Sequence, residues 1–170
     1  LQKAPLSADK SPNFYSLKGG GENAVITTGY EFFDNYYLSG SLQIEEGEAG
    51  IVFYYQGDEE QEANEELINK AVAAVYYALT LLFSGNDPDK REIRLWHYSG
   101  KERRYLARAQ VPLYDIQWYQ PAVKVLDEQI ICYLDDFEVF RVKEKINSGG
   151  KIGFYANSKE ELRFDDVLLK

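Results

Sequence analysis

The sequence predicts an all-β fold, a sandwich or barrel of short antiparallel strands. Three observations predict it. Short apolar runs recur between turn-forming clusters such as "EEGEAG", "GKE", "DD" and "INSGG". The composition is rich in rings, with 14 Tyr and 9 Phe, whose amphipathic bodies suit a half-buried pleated surface. The runs also alternate. Pro121, Val123 and Val125 share one face and Ala122 and Lys124 the other, while Ile130, Cys132 and Leu134 oppose Ile131 and Tyr133.

Taken in order, residues 1–12 are polar, hold Pro5 and Pro12, and read as a flexible N-terminal arm before one domain spanning 13–170. "NAVITT" follows a glycine triplet, and "YYLSGSLQI", a turn and "IVFYY" follow in turn. The next stretch changes character. Asp58 is an N-cap candidate, and Glu59, Glu60 and Glu62 stand where negative charge complements a helix dipole. Ala63, Leu67, Ala71 and Ala74 recur every three or four residues, which predicts a helix from about 59 to 73. From Val75 the β-propensity rises, and alternation puts Tyr77, Leu79, Leu81 and Phe83 on one face of a strand over 75–83. Periodicity also admits a single helix running on to Phe83. Beyond it come "REIRLWHYS", "RRYLARA", "WYQPAVKVL", "EQIICYL", "FEVFRV", "KIGFYA" and "LRFDDVLL". Pro121 lacks a ladder donor, so it marks a strand start, an edge or a bulge.

A chain of 170 residues buries one ordinary core. Its formal net charge of −9 argues against a phosphate-binding surface, which excludes nucleic acid as the main partner. Sugars, cations and basic proteins remain compatible. The most apolar stretch, residues 67–83, is broken by Asn69 and Lys70, so no membrane span is expected. The single Cys132 precludes an internal disulfide and, between apolar neighbours, reads as a small buried hydrophobe. The chain starts at Leu1 and contains no Met, so it reads as a mature product or as part of a larger chain or assembly.

Five phrases together carry a family likeness: "FFDNYYLSGSLQIEEGEAGIVFYYQGD" at 32–58, "YYALTLLF" at 76–83, "REIRLWHYSGKERRYLARAQVPL" at 91–113, "QWYQPAVKVLDEQIICYLDDFEVFRV" at 117–142 and "GGKIGFYANSKEELRFDDVLLK" at 149–170. Their order resembles the concanavalin A-like lectin/glucanase superfamily, especially its laminin-G-like and 3-keto-disaccharide hydrolase-type branches. The resemblance implies a two-sheet antiparallel jelly-roll β-sandwich, here with one inserted helix at about 59–73. Two departures stand out. The glycine of the family's "L-D-G" turn is Asp136, and the predicted helix falls where related domains pass between strands within a few residues.

Glucanases of that superfamily carry a nucleophile and an acid/base within "E-x-D-x-x-E" on one strand. The motif is absent, and "EFFDN", "DDFE" and "FDDV" have the wrong spacing. Asp165 and Asp166 read as turn-stabilising groups. With one His and one Cys, no His/Cys metal cluster or nearby Cys–His pair is indicated; His97 reads as a hydrogen-bonded strand-end side chain, with a lone base as the rarer use. The loop oxygens of Asn86, Asp87, Asp89 and Glu92 are of the kind calcium takes, with a solvated turn as the plainer reading; no other cofactor is indicated.

The rings offer more. With Ile93 and Leu95 inward, Arg94, Trp96 and Tyr98 fall on the opposite face, where exposed rings beside an arginine would stack on sugars. Packing under the inserted helix or a partner subunit is an equal alternative. Trp118 is expected in the core. Three functions follow: a non-catalytic carbohydrate-binding module, secreted, periplasmic or at the cell surface; an assembly module docking a protein partner through Leu67, Ile68 and Val72; or a glycoside-cleaving enzyme.

Overall fold

A computed structural model describes residues 2–3, 15–18, 24–31, 34–57, 74–146 and 149–170, with side chains described from residue 24 onward. The predicted helix at 59–73, with Leu67, Ile68 and Val72, lies outside the described residues, as does most of the arm at 1–12. The described strands are β1 (Gln2–Lys3), β2 (Tyr15–Lys18), β3 (Ala24–Thr28), β4 (Tyr37–Gln43), β5 (Gly47–Gln56), β6 (Val75–Phe83) and β7 (Glu92–Tyr98). They continue with β8 (Arg103–Gln110), β9 (Trp118–Tyr119), β10 (Pro121–Leu126), β11 (Gln129–Leu134), β12 (Phe137–Lys143), β13 (Lys151–Asn157) and β14 (Glu161–Leu169).

Two antiparallel sheets stack face to face. One runs β1-β2-β14-β4-β10-β11-β12, with β9 also paired to β4; the other runs β3-β13-β5-β6-β7-β8. Alternation decides what lies between them. Ile51 and Phe53 of β5, Tyr77, Leu79 and Leu81 of β6, and Ile93 and Leu95 of β7 meet Leu38, Leu42, Val123, Val125, Ile130, Cys132 and Phe164 of the opposite sheet. Each such side chain contributes on the order of 1.5–3 kcal/mol when fully buried. Burial also pushes the Cys132 thiol pKa well up.

Residues 75–83 are therefore a strand, paired to β5 with Ile51 opposite Leu79, and the single-helix alternative falls away. The row Tyr77, Leu79, Leu81 and Phe83 is the one that faces the core. Its other face is apolar too, because Tyr76 and Ala78 enter a second cluster on the outer side of the sheet. An apolar strand covered on both faces is what made the run resemble a helix.

A bulge in β5 matters for that outer side. Tyr54 adopts φ 49°, and the pairing with β6 shifts register between Phe53 and Gln56. The extra residue keeps Tyr54 in the core beside Tyr36 and turns Tyr55 to the outer cluster. The Tyr54 hydroxyl donates to Asp34 at 2.9 Å, which pins the bulge.

The "DD" turn closes the β11–β12 hairpin with both residues left-handed, Asp135 at φ 50° and Asp136 at φ 69°. The Asp135 carboxylate, at the position of the family's Asp, accepts from the Gln120 N–H at 2.7 Å and ties the turn to the start of β10. At β9 the expectation for Trp118 needs correcting. Tyr119 is the inward ring, 4% exposed and edge-on to Phe83 at 6.1 Å, whereas Trp118 is half-buried. Alternation allows only one of two adjacent residues to face the core.

Candidate functional site

The second cluster defines the site. On the outer face of the six-stranded sheet, Val52, Tyr76, Ala78, Trp96 and Tyr155 are buried together, with Val25, Tyr55, Ala74 and Tyr98 packed against them. Small residues make room for the rings. At Gly50 an added Cβ would lie 2.0 Å from the Leu79 carbonyl oxygen, so only glycine permits the β5–β6 approach there.

A chain of polar contacts runs through this cluster. The Trp96 indole N–H donates to Thr80 Oγ1 at 3.0 Å, and the Thr80 hydroxyl donates to Glu48 Oε1 at 2.6 Å. Glu48 Oε2 pairs with Arg103 Nη1 at 2.8 Å, and Arg103 Nη2 donates to the Tyr155 hydroxyl at 2.6 Å. The guanidinium also lies 3.8 Å from the centroid of the Trp96 ring. Burial works against the charge on Arg103, but its hydrogen bond to Glu48 and that carboxylate's charge outweigh it, so its pKa moves up. Arg103 is thus a fixed cation.

Beside Arg103 the surface opens. Tyr105 is 41% exposed, and its hydroxyl accepts from Arg103 Nη1 at 3.3 Å. The guanidinium carbons of Arg94, Arg103 and Arg108 lie 5.7, 5.9 and 5.1 Å from its ring centroid. Tyr98, half-buried, packs on Tyr76 at 5.2 Å. The result is a rigid face of rings and guanidinium groups at the surface.

No family model and no curated sequence matches the chain, but solved structures resemble it. The carbohydrate-binding module CBM66 from Bacillus subtilis superposes with TM-score 0.60 at 14% identity, covering 93% of this chain and 81% of that one. A toad ovary galectin, in complex with thio-digalactose, gives 0.56 at 10% identity, over 89% of this chain and 100% of that one. A glycosidic hydrolase gives 0.54 at 12% identity, over 95% of this chain and 72% of that one. The fold is the two-sheet jelly-roll sandwich of these structures, as the likeness to the concanavalin A-like superfamily implied. At these identities the likeness is one of fold.

Within this jelly-roll domain, the predicted site residues have separate fates. Arg94, Trp96 and Tyr98 do share the outer face. The expectation of an exposed Trp96 is corrected: its relative exposure is 0%, because Tyr76, Tyr155 and Arg103 close over it. Arg94 is ion-paired with Glu92 at 2.7 Å. Sequence reasoning missed Glu48, Arg103 and Tyr105. A signal existed in "RRY", a basic and aromatic strand start after the "GKE" turn, but the pairing that sets its register contains a bulge between Leu95 and Trp96.

Of the calcium candidates in the 85–92 loop, Asp87 and Glu92 have partners within the chain. Asp87 caps a single 3₁₀ turn (Pro88–Lys90) by accepting from the Asp89 N–H at 3.2 Å, and it pairs with Lys90. Glu92 is held by Arg94. Among the described residues no group of three His, Cys, Asp or Glu side chains converges as a metal site. His97 packs on Tyr77 at 4.6 Å; burial first, then the Arg104 charge, lowers its pKa, with Glu144 opposing. Among the described residues no helix is long and apolar enough to cross a membrane.

Proposed function

We propose that this domain is a non-catalytic carbohydrate-binding module. The saccharide lies on the outer face of the six-stranded sheet, against the exposed ring of Tyr105 and the fixed guanidinium of Arg103. One observation carries this reading: an exposed tyrosine ring stands beside an arginine immobilised by buried Glu48 and by Trp96. A ring face takes the apolar side of a sugar, and rigid donors take its hydroxyl groups. Trp96 serves as the floor beneath Arg103. Tyr98 and Arg94 border the same face.

Of the solved structures of similar fold, one is named a carbohydrate-binding module and another is a galectin in complex with thio-digalactose, which supports the same reading. The glycosidic hydrolase keeps cleavage open as the second reading. Against it, the two carboxylates described on this face, Glu48 and Glu92, are each ion-paired with an arginine. Glycoside cleavage takes a proton donor and a second free carboxylate across the bond, and neither group is free. A secreted, periplasmic or cell-surface location accords with a saccharide ligand.

Calorimetric titration backed by a glycan array tests this. Saturable binding is expected, weakened by about 1–3 kcal/mol in Tyr105→Ala, the scale of one lost stacked ring. Absence of binding across plant, bacterial and animal glycans would sink the proposal, and release of reducing sugar from a bound glycan would favour the enzyme.

A further inference from the structure

The charge on the site points to the class of saccharide. The whole chain carries 28 acidic and 19 basic residues, yet on this face Arg94, Arg103 and Arg108 outnumber Glu48 and Glu92. The local sign is reversed.

The distribution of that charge is uneven. Arg103 is satisfied by Glu48 and the Tyr155 hydroxyl. Arg94 is held by Glu92 through its Nε. Arg108 is exposed and, among the described residues, pairs with no carboxylate; its described contact is the Tyr105 ring. Arg108 is also the direct cross-strand partner of Arg94 in the β7–β8 ladder. Like charges directly opposite each other destabilise a sheet. Both guanidinium groups converge on the same exposed ring, at 5.7 and 5.1 Å from its centroid. An anion between them would relieve the repulsion. It would also find the planar donor forks that suit a carboxylate or a sulfate.

We propose that the outer face takes an acidic saccharide, with its carboxylate or sulfate between Arg94 and Arg108 and its sugar ring against Tyr105. This rests on the carbohydrate reading above and narrows it. Arg108 is then the specificity-determining residue, since among the described residues of this face it is the arginine that pairs with no carboxylate. Uronates and sulfated sugars share the chemistry that the two arginines recognise.

A glycan array holding uronate, sulfated and neutral members, followed by calorimetry on the bound ones, provides the test. Acidic members are expected to bind at least about tenfold more tightly than neutral ones of matched skeleton, and the preference should shrink as salt rises from about 0.05 to 0.5 M. Arg108→Gln, whose side chain is at the surface, should keep at least the wild-type melting temperature and bring the affinity for acidic members down towards that for neutral ones of matched skeleton. Comparing uronate with sulfated members shows which anion is preferred, and a preference for either supports the proposal. Equal binding of acidic and neutral glycans, or an Arg108→Gln variant with undiminished preference, overturns it while leaving the carbohydrate reading intact. No binding by any member overturns both.

Discussion

The Arg103 guanidinium lies 3.8 Å from the centroid of the Trp96 ring, and this contact decides what kind of surface the outer sheet presents. The indole faces outward and is fully buried. A residue that would be a stacking platform becomes the floor under a cation, and the adjacent Tyr105 takes the exposed position.

Removing that cation exposes the cost of the arrangement. In Arg103→Ala the Glu48 carboxylate, 6% exposed, keeps among the described residues only its Thr80 bond. An uncompensated buried charge of this kind costs about 3–5 kcal/mol. Urea unfolding should show that loss, and adding Glu48→Gln should recover part of it by removing the charge. A loss under about 1 kcal/mol would mean that the pair is solvated in solution.

His97 gives the protein an acid-side weakness of known sign. Its folded pKa is lowered, by burial first and then by Arg104. The unfolded chain, with an ordinary value near about 6.5, therefore takes up its proton first as pH falls. Stability present above that value is lost on acidification through the lower folded pKa. Unfolding free energies between pH 7.5 and 5.5 should fall more steeply for wild type than for His97→Gln. The opposite slope would mean that Glu144, hydrogen-bonded to Tyr77 at 3.4 Å, governs the site.

The stretch 58–73 should be dispensable for the sandwich. Gln56 stands directly opposite Val75, so the flanking strands pair up to the ends of this stretch. Replacing 58–73 with Asn-Gly leaves a short hairpin loop of the kind that closes antiparallel strands readily. Circular dichroism and thermal unfolding should show an intact β-fold. If the intact chain self-associates through Leu67, Ile68 and Val72, light scattering should show that association lost. An unfolded variant would instead assign the stretch to core cover.

Much of the fold was legible because strand pattern is a local property. Alternation in "VYYALTLLF" identified the row Tyr77, Leu79, Leu81 and Phe83, and the same row faces the core. The pairs in "PAVKVL" and "QIICYL" are likewise read from spacing, since a residue's face follows from its position in the pleat. Spacing also assigned Arg94, Trp96 and Tyr98 to one face.

What spacing does not contain is cover. Whether an outward side chain meets water depends on neighbouring strands, and here those neighbours are distant in sequence. Glu48, Arg103 and Tyr155 reach Trp96 from β5, β8 and β13, and only the sheet order β13-β5-β6-β7-β8 brings them together. A bulge at Tyr54 and another beside Trp96 set which residues arrive. The sequence by itself determined a sandwich with a ring-bearing outer face. The tertiary structure decided which ring is exposed, because exposure is a relation between strands and side-chain direction is a property of one.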